Sequence, residues 1–400
     1  MLLAGYCDFL ALLQGGILLN ISFLTLATLG AWLHRFFPHP LPPPVSAPPR
    51  RFDVLIAAHD EETVIGTLIA SLHGQDYPSE LLHVWVVADR CQDETAAIAR
   101  SAGARVFERS SGIASKGAAL RWLWEQVAEP AIKAIIIMDA DNLAHPRLLK
   151  TFDEAMRRSN GVYQAQRLAK NPEESSASAL DGLAEAIHHR IVSPGLAYFG
   201  LSTTLSGSGV AYPRDLFERL VHSTRTLVED CEWQLQLMRL GVPIRALPEA
   251  KVYDEKTSDF GRMTIQRTRW IQGKMELWRH YALPMFLDAV RGKHGALEGS
   301  IYLLTMVPRS LLLLFLCLTL FAGLIDLPGI WPWEVWAIAL SLFALHLFSG
   351  LIIEGRKEQE WRSLSHVPLF IGVLVLASLR SLSFRRVPWL RTPHGSSRNP

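Results

Sequence analysis

The feature that most constrains this chain is the run FLALLQGGILLNISFLTLATLGAWL, residues 9–33, which carries no charged residue. A bilayer core needs roughly 20 consecutive apolar residues, so this segment is long enough to cross one as a helix. No basic residue precedes it and no Ala-x-Ala-like site follows, which argues against a cleaved signal peptide. His34 and Arg35 come directly after it, and Arg50 and Arg51 lie beyond the proline-rich stretch PHPLPPPVSAPP. Because positive charge stays on the cytoplasmic side, the domain that follows is expected in the cytoplasm. The prolines make a stiff spacer between them.

Three further apolar segments close the chain: 301–325, interrupted by Pro308 and Arg309, then 333–353 and 367–382. The first is expected to begin as an interfacial helix and enter lipid after Pro308. If all three crossed, Arg385, Arg386 and Arg391 would end outside, against the charge rule. The last segment is therefore expected to be re-entrant or interfacial. The organisation expected is a membrane helix at 1–36, a linker at 37–51, a cytoplasmic domain at 52–296, membrane and interfacial helices at 297–384, and a cytoplasmic tail at 385–400. That is a multi-pass protein of a cell inner membrane, in contact with membrane lipid.

A hydrophobic content of 49% with positive mean hydropathy agrees with partial burial in lipid. A net charge of +2, with no basic stripe, argues against a nucleic-acid partner. Cys7, Cys91, Cys231 and Cys317 form no Cys-x-x-Cys pair, so neither a zinc site nor a disulfide framework is indicated.

From 52 to about 250, short β-branched runs (DVLIAA, VWVVAD, ARVFE, AIIIMD) alternate with helical stretches. This predicts an α/β domain with a mainly parallel sheet covered by helices. Ligands then bind beyond the carboxyl ends of the strands, where Asp89 and Asp139 should converge.

IIIMDADN, residues 135–142, runs an apolar strand into Asp139 and Asp141. Two carboxylates there can hold Mg²⁺ or Mn²⁺, whose remaining shell suits a nucleotide diphosphate; the same pattern also serves turns and helix caps. In VVADRCQDETA, Asp89 can meet the nucleotide, whereas Asp93 and Glu94 read as helix N-terminal residues. In AAHDEET, the backbone and Asp60 are expected to border a nucleobase, and Glu61 and Glu62 read as first-turn residues. Lys116, in SSGIASKGAAL, is a diphosphate partner or a solvated loop lysine; the spacing is not that of a Walker A loop. LSGSGVAYP places Gly207 and Gly209 around Ser208, suiting close approach by an acceptor or a plain turn. VEDCEWQLQLMRLG opens a helix with Glu229 and Asp230 and closes it at Gly241. Its functional reading makes Asp230 a general base toward an acceptor hydroxyl. In QRTRW, Gln266, Arg269 and Trp270 share one helix face, suited to phosphate and sugar contacts or to lying at a membrane interface.

These motifs, in this order, resemble the inverting family 2 glycosyltransferases, particularly the processive branch of cellulose, chitin, hyaluronan and poly-N-acetylglucosamine synthases. The match covers residues 52 to about 282, with an echo in PWLRTPH at 388–394. The resemblance implies a GT-A type nucleotide-sugar domain flanked by membrane helices, and transfer of a hexose or N-acetylhexosamine from a UDP-sugar to a polysaccharide or lipid-linked acceptor with inversion. It implies that Asp60, Asp89, Lys116 and Asp139 hold the donor, that Asp139 and Asp141 hold Mg²⁺ or Mn²⁺, and that Asp230 is the base. Gly207, Ser208, Glu229, Gln266, Arg269 and Trp270 would contact the acceptor. Val228 stands where the family usually has Thr, and LSGSG replaces the Cys-Gly-Ser form of cellulose synthases. With fewer membrane helices than those synthases, a polymer-secreting role is expected to need an accessory membrane subunit or a second copy; single addition to a glycolipid is the alternative. A nucleotidyltransferase would need a basic glycine-rich loop where AAHDEE stands, and a non-catalytic scaffold has no need of carboxylates at 89, 139, 141 and 230 together.

Overall fold

The computed structural model describes residues 2–39, 43–354 and 358–382. The arginines and the PWLRTPH segment of the tail lie outside them. The first element is a single helix, α1 (Leu2–Phe36). At 1.5 Å per residue it is about 52 Å long, more than the roughly 30 Å of a hydrocarbon core, so its end projects beyond the apolar layer.

An α/β domain follows: β1 (Phe52–Ala58), α2 (Ile65–His73), β2 (Leu82–Asp89), α3 (Thr95–Ser101), β3 (Arg105–Arg109), α4 (Lys116–Val127), β4 (Ala134–Asp139), β5 (Leu143–Ala144), α5 (Leu148–Arg158) and β6 (Val162–Ala169). Then come α6 (Ser176–Ile187), a π-helical turn (His188–Val192), α7 (Ser193–Tyr198), β7 (Val210–Pro213), α8 (Arg214–Ser223), α9 (Glu229–Arg239) and β8 (Ile244–Asp254). The remaining elements are helical: α10 (Phe260–Val290), α11 (His294–Thr305), α12 (Arg309–Leu324), α13 (Trp333–Glu354), α14 (Glu358–Ser363) and α15 (Val367–Ser381).

The eight strands form one sheet in the order β3-β2-β1-β4-β7-β6-β8-β5. The sequence expectation of a mainly parallel sheet is met in its first half, where β3, β2, β1 and β4 are all parallel, and again between β6 and β8. Beyond β4 the sheet is mixed: β7 runs antiparallel to β4 and β6, and β5 antiparallel to β8. A helix-length crossover returns the chain parallel. The α6–α7 excursion instead delivers short β7 from the opposite end. Strands β1, β2 and β4 are nearly continuous apolar runs because both faces are covered. One core packs α2 and α5 on the sheet, and the other packs α4 and α8 around Trp124, Phe217 and Trp233.

Among the described residues, three stretches are long and apolar enough to cross a membrane: Asp8–Phe36, Trp333–Ile352 and Trp361–Ser381. Helices α11 and α12 form a pair bent by 68°, with Pro308 capping the second, so the break expected from Pro308 and Arg309 is there. Helices α1, α12 and α13 pack together around Ile17, Leu316, Trp336 and Phe343. Gln14 accepts from Trp331 N at 2.8 Å and donates to Gly329 O at 2.9 Å, tying the early part of α1 to the α12–α13 turn. At the other end, Trp32 donates to Ser349 Oγ at 3.0 Å. Gly30 and Gly195 mark a crossing of α1 over α7 so close that a Cβ at Gly195 would lie 1.8 Å from Ala27 O. Helix α15 packs on α6 and α10 through Phe370 and Val373 against Leu180 and Met263.

Candidate active site

The strand ends β1, β2 and β4 open on one side of the sheet, and the acidic motifs gather there. Ser115 caps α4 by accepting from Ala118 N, which places Lys116 at the first helical position. Lys116 is no solvated loop lysine. Its Nζ bonds Asp139 Oδ1 and Gly207 O (2.6 Å) and stands 3.5 Å from Glu229 Oε1. Burial works against its charge, but Asp139 and Glu229 outweigh that and raise its pKa. Helix α9 begins at Glu229, as the sequence predicts, so Glu229 and Asp230 sit in its first turn. Burial pushes the Glu229 carboxyl up to about 7, Lys116 opposes this, and Asp230 adds to it.

Gly207 has φ +73°, a left-handed conformation that glycine adopts without penalty. A Cβ there would stand 3.2 Å from Asp230 Oδ2 and 3.6 Å from Lys116 Nζ. Lys116, Gly207, Asp230, Glu229 and Asp139 thus form one cluster from four separate parts of the chain. Ser208 faces inward: its Oγ accepts from Asp139 N at 2.9 Å and donates to Asn142 Oδ1. Its role is to fix the Asp139–Asn142 turn against the glycine loop.

Asp141 accepts from Asn142 Nδ2 at 3.0 Å. It lies in the electrostatic field of a buried network that the motifs did not announce. There Asp254 pairs with Arg167 and, at 2.7 Å, with Lys256, while Lys256 also reaches Glu185. Burial raises Asp254 to about 7 and lowers Lys256 to about 7, with Asp141 adding to the rise in Asp254. Arg167 also donates to Ser206 O, Gln164 Oε1 accepts from Ser206 N at 2.8 Å, and Gln234 Oε1 accepts from Leu205 N at 3.0 Å. The only sequence sign of this scaffold is the run of polar residues Gln164, Gln166 and Arg167 inside strand β6.

At the ends of β1 and β2, Asp89 is buried and its carboxylate is taken by Arg109 (2.8 Å) and Arg90 (2.8 Å). Arg109 in turn donates to Ile113 O at 3.1 Å, so Asp89 anchors the loop leading to Lys116. Asp60 is left-handed, φ 56°, and accepts from Gln92 N at 2.7 Å. Asp93 accepts from Thr95 N (3.0 Å) and Glu62 N (3.2 Å), consistent with its reading as a helix N-terminal residue. Asp60, Cys91 and Asp93 bring possible ligand atoms within 4.8 Å of one another, the only such metal-competent trio among the described residues. Their backbone bonds make it a clasp between the β1 and β2 loops.

QRTRW falls inside α10. Burial lowers the Arg269 pKa and Glu229 raises it, so its guanidinium is on the acidic-cluster side. Trp270 stays 36% exposed and is covered by Arg267, whose guanidinium lies 4.5 Å from the ring centroid. Helix α10 is set against α9 at Gly273, where a Cβ would lie 2.5 Å from Val228 Cγ1. Val228, the departure from the usual Thr, is thus a packing residue. Gly273→Ala is expected to push α10 away and cut turnover about tenfold, an overpacking cost on the order of 1–3 kcal/mol. Adding Val228→Ala should restore most of the rate; assays of both variants, with thermal melts, check this.

The donor set suits a divalent cation. Asp139, Glu229 and Asp230 gather three carboxylates around the one Lys116 ammonium, and Asp141 follows Asp139 at the end of β4. Asp139 and Asp141 would hold the ion, which supplies charge neutralisation to a departing diphosphate.

The α/β domain thus carries an acidic cluster at its strand ends, with Glu229 and Asp230 in the first turn of α9, the arrangement of a group-transferring enzyme. The chain belongs to the glycosyltransferases of family 2: the model of Glycosyltransferase like family 2 matches residues 48–273. It is 21% identical over 371 residues to a beta-monoglucosyldiacylglycerol synthase of Synechocystis, covering 86% of this chain and 75% of that one. It is 23% identical over 235 residues to a probable glycosyltransferase of Bacillus subtilis, YdaM, covering 56% of this chain and 55% of the relative. Among solved structures, a mannosyltransferase of Pyrobaculum calidifontis in complex with GDP-Man and Mn²⁺ superposes with TM-score 0.54 and 18% identity, covering 92% of this chain and 97% of that one. At that identity the likeness speaks for the fold.

Proposed function

We infer that this protein transfers a single hexose or N-acetylhexosamine from a UDP-sugar to a membrane lipid, with inversion. The observation that carries the reading is the convergence of Lys116, Asp139, Gly207, Glu229 and Asp230 at one point. Asp230 is the base that takes the acceptor hydroxyl proton as that oxygen attacks the anomeric carbon. Lys116 exchanges Asp139 for the donor diphosphate, whose bond to the anomeric carbon breaks as the acceptor oxygen attacks, and matches its charge as it leaves. Arg269 adds a second cation, and Asp139 with Asp141 holds Mg²⁺ or Mn²⁺. The loop Ser206–Ser208 and the Gln266–Trp270 face border the acceptor.

A lipid acceptor is favoured over a polymer because the likeness to the glycolipid synthase extends over 86% of the chain, more than its α/β domain alone. The processive reading is kept as the second possibility on the order of the motifs. In the topology proposed, α1, α12 and α13 cross the inner membrane with the catalytic domain on the cytoplasmic side. Arg309 at the start of α12 donates to Ala184 O of that domain at 3.2 Å, so α12 enters lipid from that side. Helix α15, seated on α6 and α10, lies along the interface, which leaves the arginine-rich tail cytoplasmic.

The test is UDP release by detergent-purified protein with diacylglycerol and a panel of UDP-sugars. Metal-dependent release is expected with one donor, lost on chelation. Asp139→Ala combined with Asp141→Ala should remove the metal dependence of donor binding; a binding isotherm that still responds to Mn²⁺ rules out this pair as the metal site.

A further inference from the structure

We propose that the elbow between α10 and α11 is a docking surface for an anionic lipid bilayer, and that this contact holds the base and the acceptor loop in place. Only the kinetic part of the argument rests on the function inferred above. The second half of α10 turns a continuous apolar face outward: Leu283 is 65%, Phe286 58% and Val290 70% exposed. Leu297 and Leu304 continue it along α11, which leads into the apolar helix α12 at the 68° bend. A face of this size on a soluble surface would be a liability; continuous with membrane-entering helices, it fits the headgroup–acyl boundary.

The rim of the face selects the charge of its partner. Arg279 stands at its start, and Arg239, Arg291 and Lys293 gather around Asp288 at its end, at 2.6, 3.7 and 2.9 Å. Four cations thus border this apolar strip, three of them sharing the carboxylate of Asp288, and Arg291 and Lys293 remain 70% and 54% exposed. His280 and His294 flank the same strip. Such a belt attracts an anionic leaflet.

What makes the surface more than an anchor is the other side of α11. Gly295 lets it touch α9, where a Cβ would lie 1.8 Å from Met238 O. Glu298 accepts from Ser202 N, at the root of the acceptor loop. Tyr302 donates to Cys231 Sγ at 3.6 Å, beside Asp230. A bilayer pressed on α11 therefore bears on both parts of the site at once.

The test compares the full chain in nanodiscs of phosphatidylcholine alone and of phosphatidylcholine with about one quarter phosphatidylglycerol. Hydrogen–deuterium exchange over 278–305 should slow in the anionic discs, and turnover should rise about fivefold for the cations engaged. Arg279→Gln with Arg291→Gln, both on the surface, should keep the neutral-disc rate and lose the stimulation. Equal exchange in the two bilayers overturns the proposal even if no sugar transfer is detected. Stimulation that survives the double variant, or that soluble glycerol phosphate reproduces, overturns it too. Absence of activity together with slowed exchange would count against the inferred function and leave the docking surface supported.

Discussion

Asp230→Asn is expected to lower transfer by about 10³-fold while donor affinity stays within a few-fold of wild type, the magnitude of losing a positioned base. Asp230 Oδ1 accepts from Cys231 N at 2.7 Å and Oδ2 faces Gly207. An amide oxygen can keep the first contact, and its NH₂ fills the second position, so the helix start survives; what goes is the ability to accept a proton. Rapid-mix UDP release and calorimetric donor titration separate the two effects. Wild-type turnover by the variant would remove Asp230 as the base.

Lys116→Met is expected to weaken donor binding about 100-fold and to destabilise the folded protein. The methionine fills similar volume without charge, leaving Asp139, Glu229 and Asp230 to repel one another across a half-buried cluster. Removing one partner of a buried pair costs about 3–5 kcal/mol. A compensating proton on Glu229 lowers that cost, and its direction can be worked out. The folded-state pKa of Glu229, about 7, already lies above its ordinary carboxyl value. Its protonated form is therefore favoured by folding; that contribution is complete below the ordinary value and is lost as pH rises through 7. Lys116 holds this pKa down, so its loss raises it further and moves the loss of stability to higher pH. The variant should melt closest to wild type in mild acid and furthest from it above pH 7. A pH-independent difference in melting temperature would show that Lys116 and Glu229 do not share one site.

Much of this molecule was legible before any coordinates. The break at Pro308, the helix opened by Glu229 and Asp230 and the strand end at Asp139 were all local signals. Each depends on residues within one turn or one strand, where propensity, capping and apolar periodicity act. The motif order then pointed to the family. Val228 illustrates the limit of such reading: as a motif position it looked like a deviation, whereas in the fold it is the surface against which Gly273 seats α10.

Two features had no local sign, and a third had only the polar run in β6. The pairing of Asp89 with Arg109 and Arg90, which braces the loop before Lys116, joins residues from separate strand ends. The antiparallel β7 depends on where α6 and α7 deposit the chain. The Arg167–Asp254–Lys256–Glu185 network assembles from β6, β8, the segment just after it, and α6.

The amino-acid sequence by itself determined the kinds of element, the apolar segments and the list of chemically capable residues, because those follow from neighbours along the chain. Only the tertiary structure decided which carboxylate is satisfied by an arginine, as Asp89 is, and which gather around Lys116. Burial and charge pairing act through space, between residues such as Lys116 and Glu229 that the sequence holds far apart.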